Sequence, residues 1–262
     1  MSYADVKGKN IIVTGGAGGI GGAIAKLLAA EGANVYSFDI NDALGEKVAS
    51  EATALGPGTL KYTHVDLSSR TATFSAVESA AQDLGGVLHA IVNVAGIGGY
   101  EMIDSISEAS WDRMMNIHVK GTLFMCQAAF PFLKAAGEAS IVNCGSDAGI
   151  TGIAGVSAYS AAKGAIMGFT RACAAEWGQY WIRVNCFNPA AATGMDQTML
   201  DKFTEEQRRD HERIIRERCP LGGKMGDAER DVAPVVVFLC SRASRFVTGQ
   251  LVPVNGGMTN AR

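Results

Sequence analysis

The 262-residue sequence predicts an α/β fold, with a doubly wound parallel sheet of about seven strands flanked by helices on both faces. Short apolar runs alternate with longer amphipathic patterns, as they do in repeated strand–helix–strand units. Hydrophobic residues make up 48% of the chain, which is enough to bury both faces of such a sheet. A glycine-rich turn directly after the first apolar run predicts a ligand-binding loop at the carboxyl end of a strand.

Seven apolar runs are the predicted strands, and each is shorter than an ordinary helix. They cover residues 11–13, 35–38, 62–65, 88–92, 141–146, 182–187 and 251–254. No low-complexity linker divides the sequence, so residues 1–262 are expected to form one domain. Residues 195–226 interrupt the alternation and are rich in Met, Glu and Arg, which predicts an inserted helical lid. Within them, Thr204 and Gln207 have the spacing of a capping box that starts a helix.

Charge, hydropathy and cysteine content exclude several classes of function. The net charge of −3 gives no general attraction to nucleic acid or to an anionic membrane. No run of about 18 apolar residues is long enough to span a bilayer. None of the six cysteines forms a C-x-x-C pair or has a histidine at metal-ligand spacing, so no metal site is predicted. Reduced thiols and an N-terminus without a signal-peptide pattern indicate a cytoplasmic protein.

The glycine turn lies between a predicted strand and an amphipathic helix. Gly15, Gly19 and Gly21 would let the backbone turn tightly and approach a pyrophosphate. The helix start around Gly18 and Ile20 would offer free N–H groups and a positive dipole end to the phosphates. Paired glycines also occur in ordinary turns, but the flanking strand and helix favour a Rossmann-type dinucleotide site.

Asp39 ends the second predicted strand, where its carboxylate can accept both hydroxyls of an adenine ribose. A 2′-phosphate in the same place would meet a like charge, worth about 4 kcal/mol at about 4 Å and an effective dielectric constant near 20. No arginine at Gly16, Ala17 or Ile40 offsets this repulsion, so NAD is the predicted cofactor rather than NADP. A strand-end carboxylate that caps a turn is the alternative interpretation of Asp39.

Tyr159 and Lys163 lie four residues apart in a helical pattern, so their side chains share one helix face. The Lys163 ammonium can therefore stand beside Tyr159 and favour its phenolate. Ser146, at the end of a predicted strand, could donate a hydrogen bond to a substrate oxygen. Each of these residues alone is common in ordinary proteins, but together they follow a dinucleotide-binding half, which favours acid–base catalysis.

These motifs extend from Lys9 to about Met258 and resemble the short-chain dehydrogenase/reductase family, in its single-domain branch. Ser146, Tyr159 and Lys163 match the catalytic set of that family, and Asn116 matches its asparagine that holds a proton-relay water. The resemblance implies that Tyr159 is the general base in oxidation and the general acid in reduction. It also implies that Ser146 orients the substrate and that Lys163 holds the nicotinamide ribose.

The resemblance also implies cofactor contacts along the strand ends. The expected cofactor-binding residues are Gly15, Gly18, Gly19, Ile20, Asp39, Ile40, Asp66, Leu67, Asn93, Ala95, Gly96, Tyr159, Lys163, Pro189, Ala192 and Thr193. Three positions depart from the family pattern. Val94 replaces a second asparagine, Ala190 replaces a glycine, and Thr193 comes one place early. The last two departures affect the loop expected to contact the nicotinamide carboxamide.

By the same resemblance, the substrate lies over the nicotinamide between residues 97–100, 148–156 and 195–203. Most of these residues are apolar or small, and the first two segments contain no arginine or lysine. This composition predicts an uncharged, fairly hydrophobic secondary alcohol or ketone. Packing or a subunit contact is the alternative role of these residues.

Two other functions stay open at this point. A 3-oxoacyl-[acyl-carrier-protein] reductase is disfavoured by Asp39 and by the lack of an NADP-selective arginine. A non-catalytic dinucleotide-sensing regulator is disfavoured by the complete set of Asn116, Ser146, Tyr159 and Lys163, because a sensor needs no proton relay. The shared fold alone does not separate these functions.

A homotetramer is the predicted assembly, since related enzymes commonly form tetramers. Trp177, Tyr180 and Trp181 lie together at a helix end, and aromatic residues often anchor interfaces. The 251–254 segment could meet its own symmetry mate. A monomer in which Trp177 and Trp181 only cover the core is the alternative.

Overall fold

A computed structural model describes residues 4–54, 56–192, 200–201 and 203–259, and within them the chain forms a seven-stranded parallel sheet. The strands are β1 (Asn10–Thr14), β2 (Asn34–Asp39), β3 (Thr59–His64), β4 (Ala90–Asn93), β5 (Ala139–Cys144), β6 (Ile182–Pro189) and β7 (Leu251–Val254). Their order across the sheet is β3-β2-β1-β4-β5-β6-β7, and each strand runs parallel to its neighbours. The predicted doubly wound α/β fold is confirmed.

Helices cover both faces of this sheet. In chain order they are α1 (Gly19–Ala30), α2 (Asp42–Thr53), α3 (Arg70–Asp83), α4 (Glu108–Met115), α5 (Gly121–Ala135), α6 (Ala148–Thr151), α7 (Ser157–Trp177), α8 (Glu205–Arg218) and α9 (Ala233–Cys240). Short 3₁₀ turns lie at Ala4–Val6, Gly178–Tyr180 and Arg242–Ser244, and π-helical turns at Asn116–Lys120 and Ala228–Val232. Among the described helices, none is both long and apolar enough to cross a membrane.

The core consists mainly of two large apolar clusters, one on each face of the sheet, and a third, small cluster contains Ile166, Met167 and Cys186. Ile11 and Val13 point toward the α1, α2 and α9 side, whereas Ile12, between them, points toward α3, α5 and α7. All three side chains are almost completely buried. Burial on both faces explains why the strands appear in the sequence as continuous apolar runs rather than as alternating patterns.

The strand boundaries agree with the sequence expectations within two residues, except at the start of β3. That strand begins at Thr59 instead of residue 62, where it pairs with Asn34 of β2. It is an edge strand, and its Thr59 and Lys61 side chains are exposed. The apolar pattern therefore starts later than the hydrogen-bonded strand.

Helix α8 lies within the segment that was expected to be an inserted helix. The Thr204 hydroxyl accepts from the Gln207 N–H at 3.2 Å, and the Gln207 side chain accepts from the Thr204 N–H at 2.8 Å, which confirms the capping box. No residue of α8 is buried, as its mixed charges indicate. Residues 195–199 and 202 of the expected insertion lie outside the described part of the chain.

Candidate active site

The carboxyl ends of the strands lie along one edge of the sheet, and the predicted site residues follow these ends. The strand order reverses between β1 and β4, and ligands bind beside such a reversal in doubly wound sheets. Gly15 follows β1, Asp39 ends β2, Asn93 ends β4 and Ser146 comes soon after β5. The fold therefore brings these distant residues to one edge.

Two glycines of the turn between β1 and α1 have close contacts that leave no room for side chains. Gly15 has a φ of 69°, and a Cβ added there would lie 2.9 Å from the Ala95 backbone. A Cβ on Gly21 would collide with the Gly15 carbonyl oxygen. Helix α1 begins at Gly19, and Gly18 before it provides no side-chain cap, so no side chain of the cap competes with an anion for the first N–H groups.

Thr14 connects this turn to the end of β4. Its buried hydroxyl oxygen accepts from the N–H groups of Val94 at 3.1 Å and Ala95 at 3.2 Å. The departure from the family pattern at Val94 therefore leaves its backbone contact in place. The two loops that border the expected pyrophosphate position are fixed to each other.

The Asp39 carboxylate also lies against the glycine turn. Its Oδ2 accepts from the Ala17 N–H at 3.1 Å, and its Oδ1 accepts from the N–H groups of Ile40 at 2.7 Å and Asn41 at 3.1 Å. The Ile40 side chain is 64% exposed beside it. These bonds hold the carboxylate at the turn and are compatible both with the cofactor role and with the capping alternative.

Asp66 and Leu67 follow β3 at the same edge. Asp66 is exposed, and its Oδ1 accepts from the Ser68 N–H at 2.9 Å and from the Ser68 hydroxyl at 2.7 Å. Leu67 is buried, and a Cβ added to Gly121 at the start of α5 would lie 3.2 Å from it. Asp66 therefore faces solvent at the expected adenine position, and Leu67 packs below it.

The Asn93 side chain points into the sheet rather than outward. Its Nδ2 donates to Asn143 Oδ1 at 2.8 Å, and Asn143 Nδ2 donates to the Thr170 hydroxyl at 2.9 Å. All three residues are buried. Asn93 thus links β4 to β5 and α7, and its expected cofactor contact stays a prediction.

Tyr159 and Lys163 lie on α7, as the four-residue spacing indicated. The Lys163 Nζ lies 5.5 Å from the Tyr159 ring centroid and donates to the Cys144 carbonyl oxygen at 2.8 Å. Lys163 is only 3% exposed. Burial lowers its pKa, but electrostatic interaction with Tyr159, Cys144 and Cys186 outweighs burial and raises the pKa above the usual value. The side chain is therefore a fixed ammonium next to the tyrosine.

Ser146 lies in the loop between β5 and α6, and its hydroxyl accepts from the Ala148 N–H at 3.2 Å. This loop packs closely on α7 because Gly149 has no side chain. A Cβ on Gly149 would lie 2.8 Å from the Gly164 nitrogen and 3.1 Å from the Lys163 Cβ. The close packing brings the Ser146 loop to the α7 turn that carries Lys163.

Asn116 begins a π-helical turn between α4 and α5, and this turn also carries a residue that the sequence analysis missed. The ring of His118 meets the Tyr159 ring edge to face, with centroids 5.4 Å apart. His118 Nε2 lies 2.9 Å from the Ile97 carbonyl oxygen and 3.0 Å from the Ile97 nitrogen. A Cβ on Gly96 would collide with the His118 ring. Position 96 therefore needs a glycine to make room for the His118 ring, in addition to its expected cofactor role.

Burial makes His118 a neutral histidine. Burial, and then the charge of Lys163, lower its pKa to about 3, against a small opposing effect of the Ile97 hydrogen bond. Its Nδ1 has no hydrogen-bond partner within the described ranges. In the unfolded chain His118 is protonated as the pH falls below about 6.5, whereas in the folded chain it stays neutral. The free energy of unfolding is therefore greatest above that pH and falls on acidification.

We expect the free energy of unfolding to fall by about 2 kcal/mol between pH 7 and pH 5 on account of His118 alone. His89, whose pKa burial and Lys9 lower to about 4, adds to the fall. Urea unfolding curves at both pH values measure the loss. The His118→Asn variant should lose correspondingly less, and an equal loss in both proteins would contradict the assignment.

Asp147 is a second residue that the sequence analysis missed, directly after Ser146. Asn255 Nδ2 donates to its Oδ2 at 2.7 Å and to the Thr259 carbonyl oxygen at 3.0 Å. Burial raises the pKa of Asp147 above its usual value, against the opposing hydrogen bonds from Asn255 and Thr259. The contact attaches the Ser146 loop to the loop after β7.

A cavity of about 110 Å³ lies beside Tyr159. Two of the expected substrate walls contribute to it, through Ile97–Gly99 on one side and Gly155 and Val156 on the other, and Ser157 and Ala158 extend the second wall. Helix α4 adds a third wall, which includes Arg113 and had not been expected. Glu101 also lines the cavity, and its Oε1 accepts from the Ser110 hydroxyl at 2.9 Å. One acidic and one basic residue therefore border the cavity.

The loop after β6 is described only in part. Pro189 ends β6, and the Ala190 N–H donates to the Val254 carbonyl oxygen at 3.0 Å. The Ala192 N–H donates to Gly226 at 3.2 Å, and Ala192 is exposed. Thr193 lies outside the described residues, so its expected carboxamide contact stays a prediction.

The residues at this edge fit a dinucleotide. The turn leaves open space at Gly18, the first N–H groups of α1 have no side-chain cap, and the Asp39 carboxylate lies against the turn, where the sequence predicts the adenine ribose. In the described part of the chain, no group of three or more potential ligand residues could hold a metal ion.

The chain is similar to known oxidoreductases over almost its whole length. The family model described as enoyl-(acyl carrier protein) reductase matches residues 15–259. The chain is 38% identical to 2-(S)-hydroxypropyl-CoM dehydrogenase 3 of Xanthobacter autotrophicus, over 97% of this chain and 98% of that protein. It is 34% identical to cyclopentanol dehydrogenase of Comamonas sp. and to the 3-oxoacyl-[acyl-carrier-protein] reductase of Thermotoga maritima, each over 97% of this chain and 98% of the relative.

A solved structure shares the fold almost from end to end. The crystal structure of levodione reductase superposes with a TM-score of 0.89 and 29% sequence identity, covering 96% of this chain and 97% of that one.

Proposed function

This chain belongs to the short-chain dehydrogenase/reductase family of oxidoreductases, and we propose that it is an NAD-dependent dehydrogenase of a small, uncharged secondary alcohol. In the reverse direction it would reduce the corresponding ketone. The observation that carries the proposal is the pair on α7, in which a buried Lys163 ammonium lies 5.5 Å from the Tyr159 ring centroid and is held in place by Cys144.

The residues that would hold the cofactor lie along the strand ends. The first turn of α1 and the glycine turn would bind the pyrophosphate, and Asp39 would accept the adenine-ribose hydroxyls. Asp66, Leu67 and Gly96 would border the adenosine and nicotinamide positions. The other expected contacts are Ile20, Ile40, Asn93, Ala95, Pro189, Ala192 and Thr193. When bound, NAD accepts the hydride from the carbinol carbon.

Tyr159 would remove the hydroxyl proton of the alcohol during oxidation and return it during reduction. Lys163 would stabilise the phenolate and bind the nicotinamide ribose, because its ammonium is buried and its position is fixed by the Cys144 carbonyl. Ser146 would donate a hydrogen bond to the substrate oxygen. Asn116, in the π-helical turn, would hold a water through which the proton reaches solvent.

The substrate cavity supports a small neutral substrate. The described part of its lining encloses about 110 Å³, which is small for a ligand cavity. The opposite charges of Glu101 and Arg113 give its border no net charge, which favours an uncharged molecule. The Tyr100 ring meets Phe203 edge to face at 6.2 Å, so the segment leading into α8 lies next to one wall, as a lid would.

A 3-oxoacyl-[acyl-carrier-protein] reductase is the second candidate, supported by the 34% identity reported above. Initial rates separate the two functions. We expect NADH to appear at 340 nm with small secondary alcohols and NAD, and acetoacetyl thioesters with NADPH to be poor substrates. Faster turnover of the thioester would favour the second candidate and remove the first.

A non-catalytic dinucleotide sensor is the third candidate. Such a protein would bind NAD without turning over any alcohol in the same assay. The ordered arrangement of Tyr159 and Lys163 supports an enzyme instead, because nucleotide binding alone needs no buried ammonium beside a tyrosine ring.

We also propose that the protein assembles as a homotetramer in the cytoplasm. The edge strand β7 is only partly buried, and Phe238 of α9 is 36% exposed, so an apolar surface is available for a symmetric contact. Trp177 and Tyr180 both pack on Phe130, with centroids 4.7 Å and 5.6 Å away. These two rings therefore pack within the chain. For Trp177, this is the role that the monomer alternative assigned to it.

Light scattering at micromolar concentration should give four times the 27.4 kDa mass of one chain. A charge placed on β7, as in Val252→Asp, should dissociate the assembly if the edge strand lies in the contact, whereas Thr59→Asp on the opposite edge strand β3 should leave it intact. A wild-type mass equal to one chain would refute the proposed assembly.

A further inference from the structure

A second cavity lies at the amino ends of the strands, at the edge of the sheet opposite the candidate active site. Its volume is about 360 Å³, compared with about 110 Å³ beside Tyr159. Its walls include Lys9, His89, Glu138 and Trp181, which come just before β1, β4, β5 and β6. An eight-residue strand such as β6 spans roughly 25 Å, so this cavity is separate from the residues at the carboxyl ends.

Cationic groups exceed carboxylates around the cavity. Lys9, Arg183, Arg242 and Arg245 line it, together with the carboxylates Asp5 and Glu138. Glu138 is shared by two arginines, with Oε2 3.1 Å from Arg242 Nη2 and Oε1 3.1 Å from Arg245 Nε. Burial and Lys9 lower the pKa of His89 to about 4, so this histidine adds no positive charge at neutral pH. The described lining therefore carries a net charge of two positive units.

Arg183 contributes a half-buried guanidinium that donates its hydrogen bonds to neutral groups. Its guanidinium donates to the Ser244 hydroxyl at 2.8 Å and to the carbonyl oxygens of Leu239 at 2.9 Å and Ser241 at 3.1 Å. All three acceptors are neutral. No carboxylate in the described ranges lies within ion-pair distance of this half-buried charge, and Glu138 and Asp5 act on it only from farther away, so an anion entering the cavity would meet an incompletely neutralised guanidinium.

Trp181 lines the cavity with a partly exposed ring, and its backbone has a left-handed conformation. It is the non-glycine residue with positive φ in the described chain, at 57°, a conformation that favours glycine or asparagine. Its side chain nevertheless remains 45% exposed, with the Arg245 guanidinium 4.3 Å from the ring centroid. Trp181 ends the 3₁₀ turn Gly178–Tyr180, where a small residue would adopt this conformation with less strain, so its large, partly exposed ring is better explained by a contact with a ligand than by the turn itself.

We propose that this cavity binds a small planar organic anion, stacked on Trp181 and paired with the excess positive charge of Lys9 and Arg183. The volume lies within the range of ordinary small-molecule sites. The ring of the ligand would take the place of solvent on the exposed part of Trp181. Its acidic groups would supply the counter-charge that Glu138 and Asp5 provide only in part.

Calorimetric titration of the full chain with naphthalene-2,6-dicarboxylate tests the proposal. We expect one probe molecule per chain, with equal affinity in the absence and in the presence of saturating NAD, because the two sites lie at opposite edges. Affinity should fall as salt is raised. Displacement of the probe by NAD would assign it to the nucleotide site, and no binding up to about 5 mM would also overturn the proposal.

Substitution of Trp181 shows whether this residue binds the ligand or only stabilises the fold. Trp181→Gly and Trp181→Asn should each weaken probe binding at least tenfold, while the melting temperature stays the same or rises because the backbone strain is relieved. Lys9→Gln should weaken binding in the same direction. Trp111→Phe, on α4 at the other edge, is the matched control and should leave affinity unchanged. Equal probe affinity in wild type and Trp181→Gly would overturn the proposal.

Discussion

Replacing Tyr159 with phenylalanine should reduce kcat/KM for alcohol oxidation by about a thousandfold or more, because the side chain that accepts the proton is lost. The phenyl ring keeps the edge-to-face contact with His118 and the place next to Lys163, so the fold and the cofactor site should remain intact. Steady-state rates at 340 nm measure the first effect. Quenching of protein fluorescence by NADH should give a dissociation constant within about threefold of wild type.

Tyr180→Phe is the matched control for this change. Tyr180 loses the same hydroxyl group but lies just before β6, at the edge of the sheet away from the candidate active site. Its activity should equal that of wild type. Substantial turnover by the Tyr159→Phe protein would show that another group moves the proton.

The second large effect concerns cofactor choice. The ratio of kcat/KM for NAD over NADP should be at least about 100, since a 2′-phosphate beside Asp39 meets roughly 3 to 4 kcal/mol of repulsion. Asp39→Asn removes the charge but keeps one oxygen that can accept a backbone N–H, so the turn should survive. The preference for NAD in this variant should fall at least tenfold, because NADP no longer meets the negative charge and NAD loses one carboxylate acceptor for its ribose hydroxyls.

Asp42→Asn is the control for the charge effect. Asp42 is exposed at the start of α2, where it contacts Tyr62 and His64 rather than the glycine turn. Its removal should change the NAD/NADP ratio by less than about twofold, because exposed charges are screened by salt. A wild-type enzyme that prefers NADP would refute the interpretation of Asp39.

The sequence predicted those parts of the fold that depend on residues close together in the chain. A strand buried on both faces must be apolar throughout, and a turn that approaches another backbone needs glycine, so β1 and Gly15 are visible in the sequence. The Tyr159–Lys163 pair could be predicted because residues four apart on a helix lie on the same face. The start of β3 was missed because an exposed edge strand has no continuous apolar pattern.

The missed residues of the site depend on contacts between distant segments. His118 is important because a π-helical turn directs it at Tyr159 and at Gly96, which lie on two other segments. Asp147 is held by Asn255 from the far end of the chain, and Arg113 reaches the substrate cavity from α4. No periodicity marks these side chains, although the position of Asp147 directly after Ser146 could have drawn attention to it.

Isotopic labelling follows the proposed hydride from the alcohol to NAD. The enzyme is supplied with NAD and with cyclopentanol deuterated at the carbinol carbon, and the reduced cofactor is analysed by mass spectrometry. We expect the deuterium to appear in NADH with the wild-type protein, whereas the Tyr159→Phe protein should form almost no labelled NADH. A reduced cofactor without deuterium, or no reduction with any small secondary alcohol, would contradict the proposed hydride transfer.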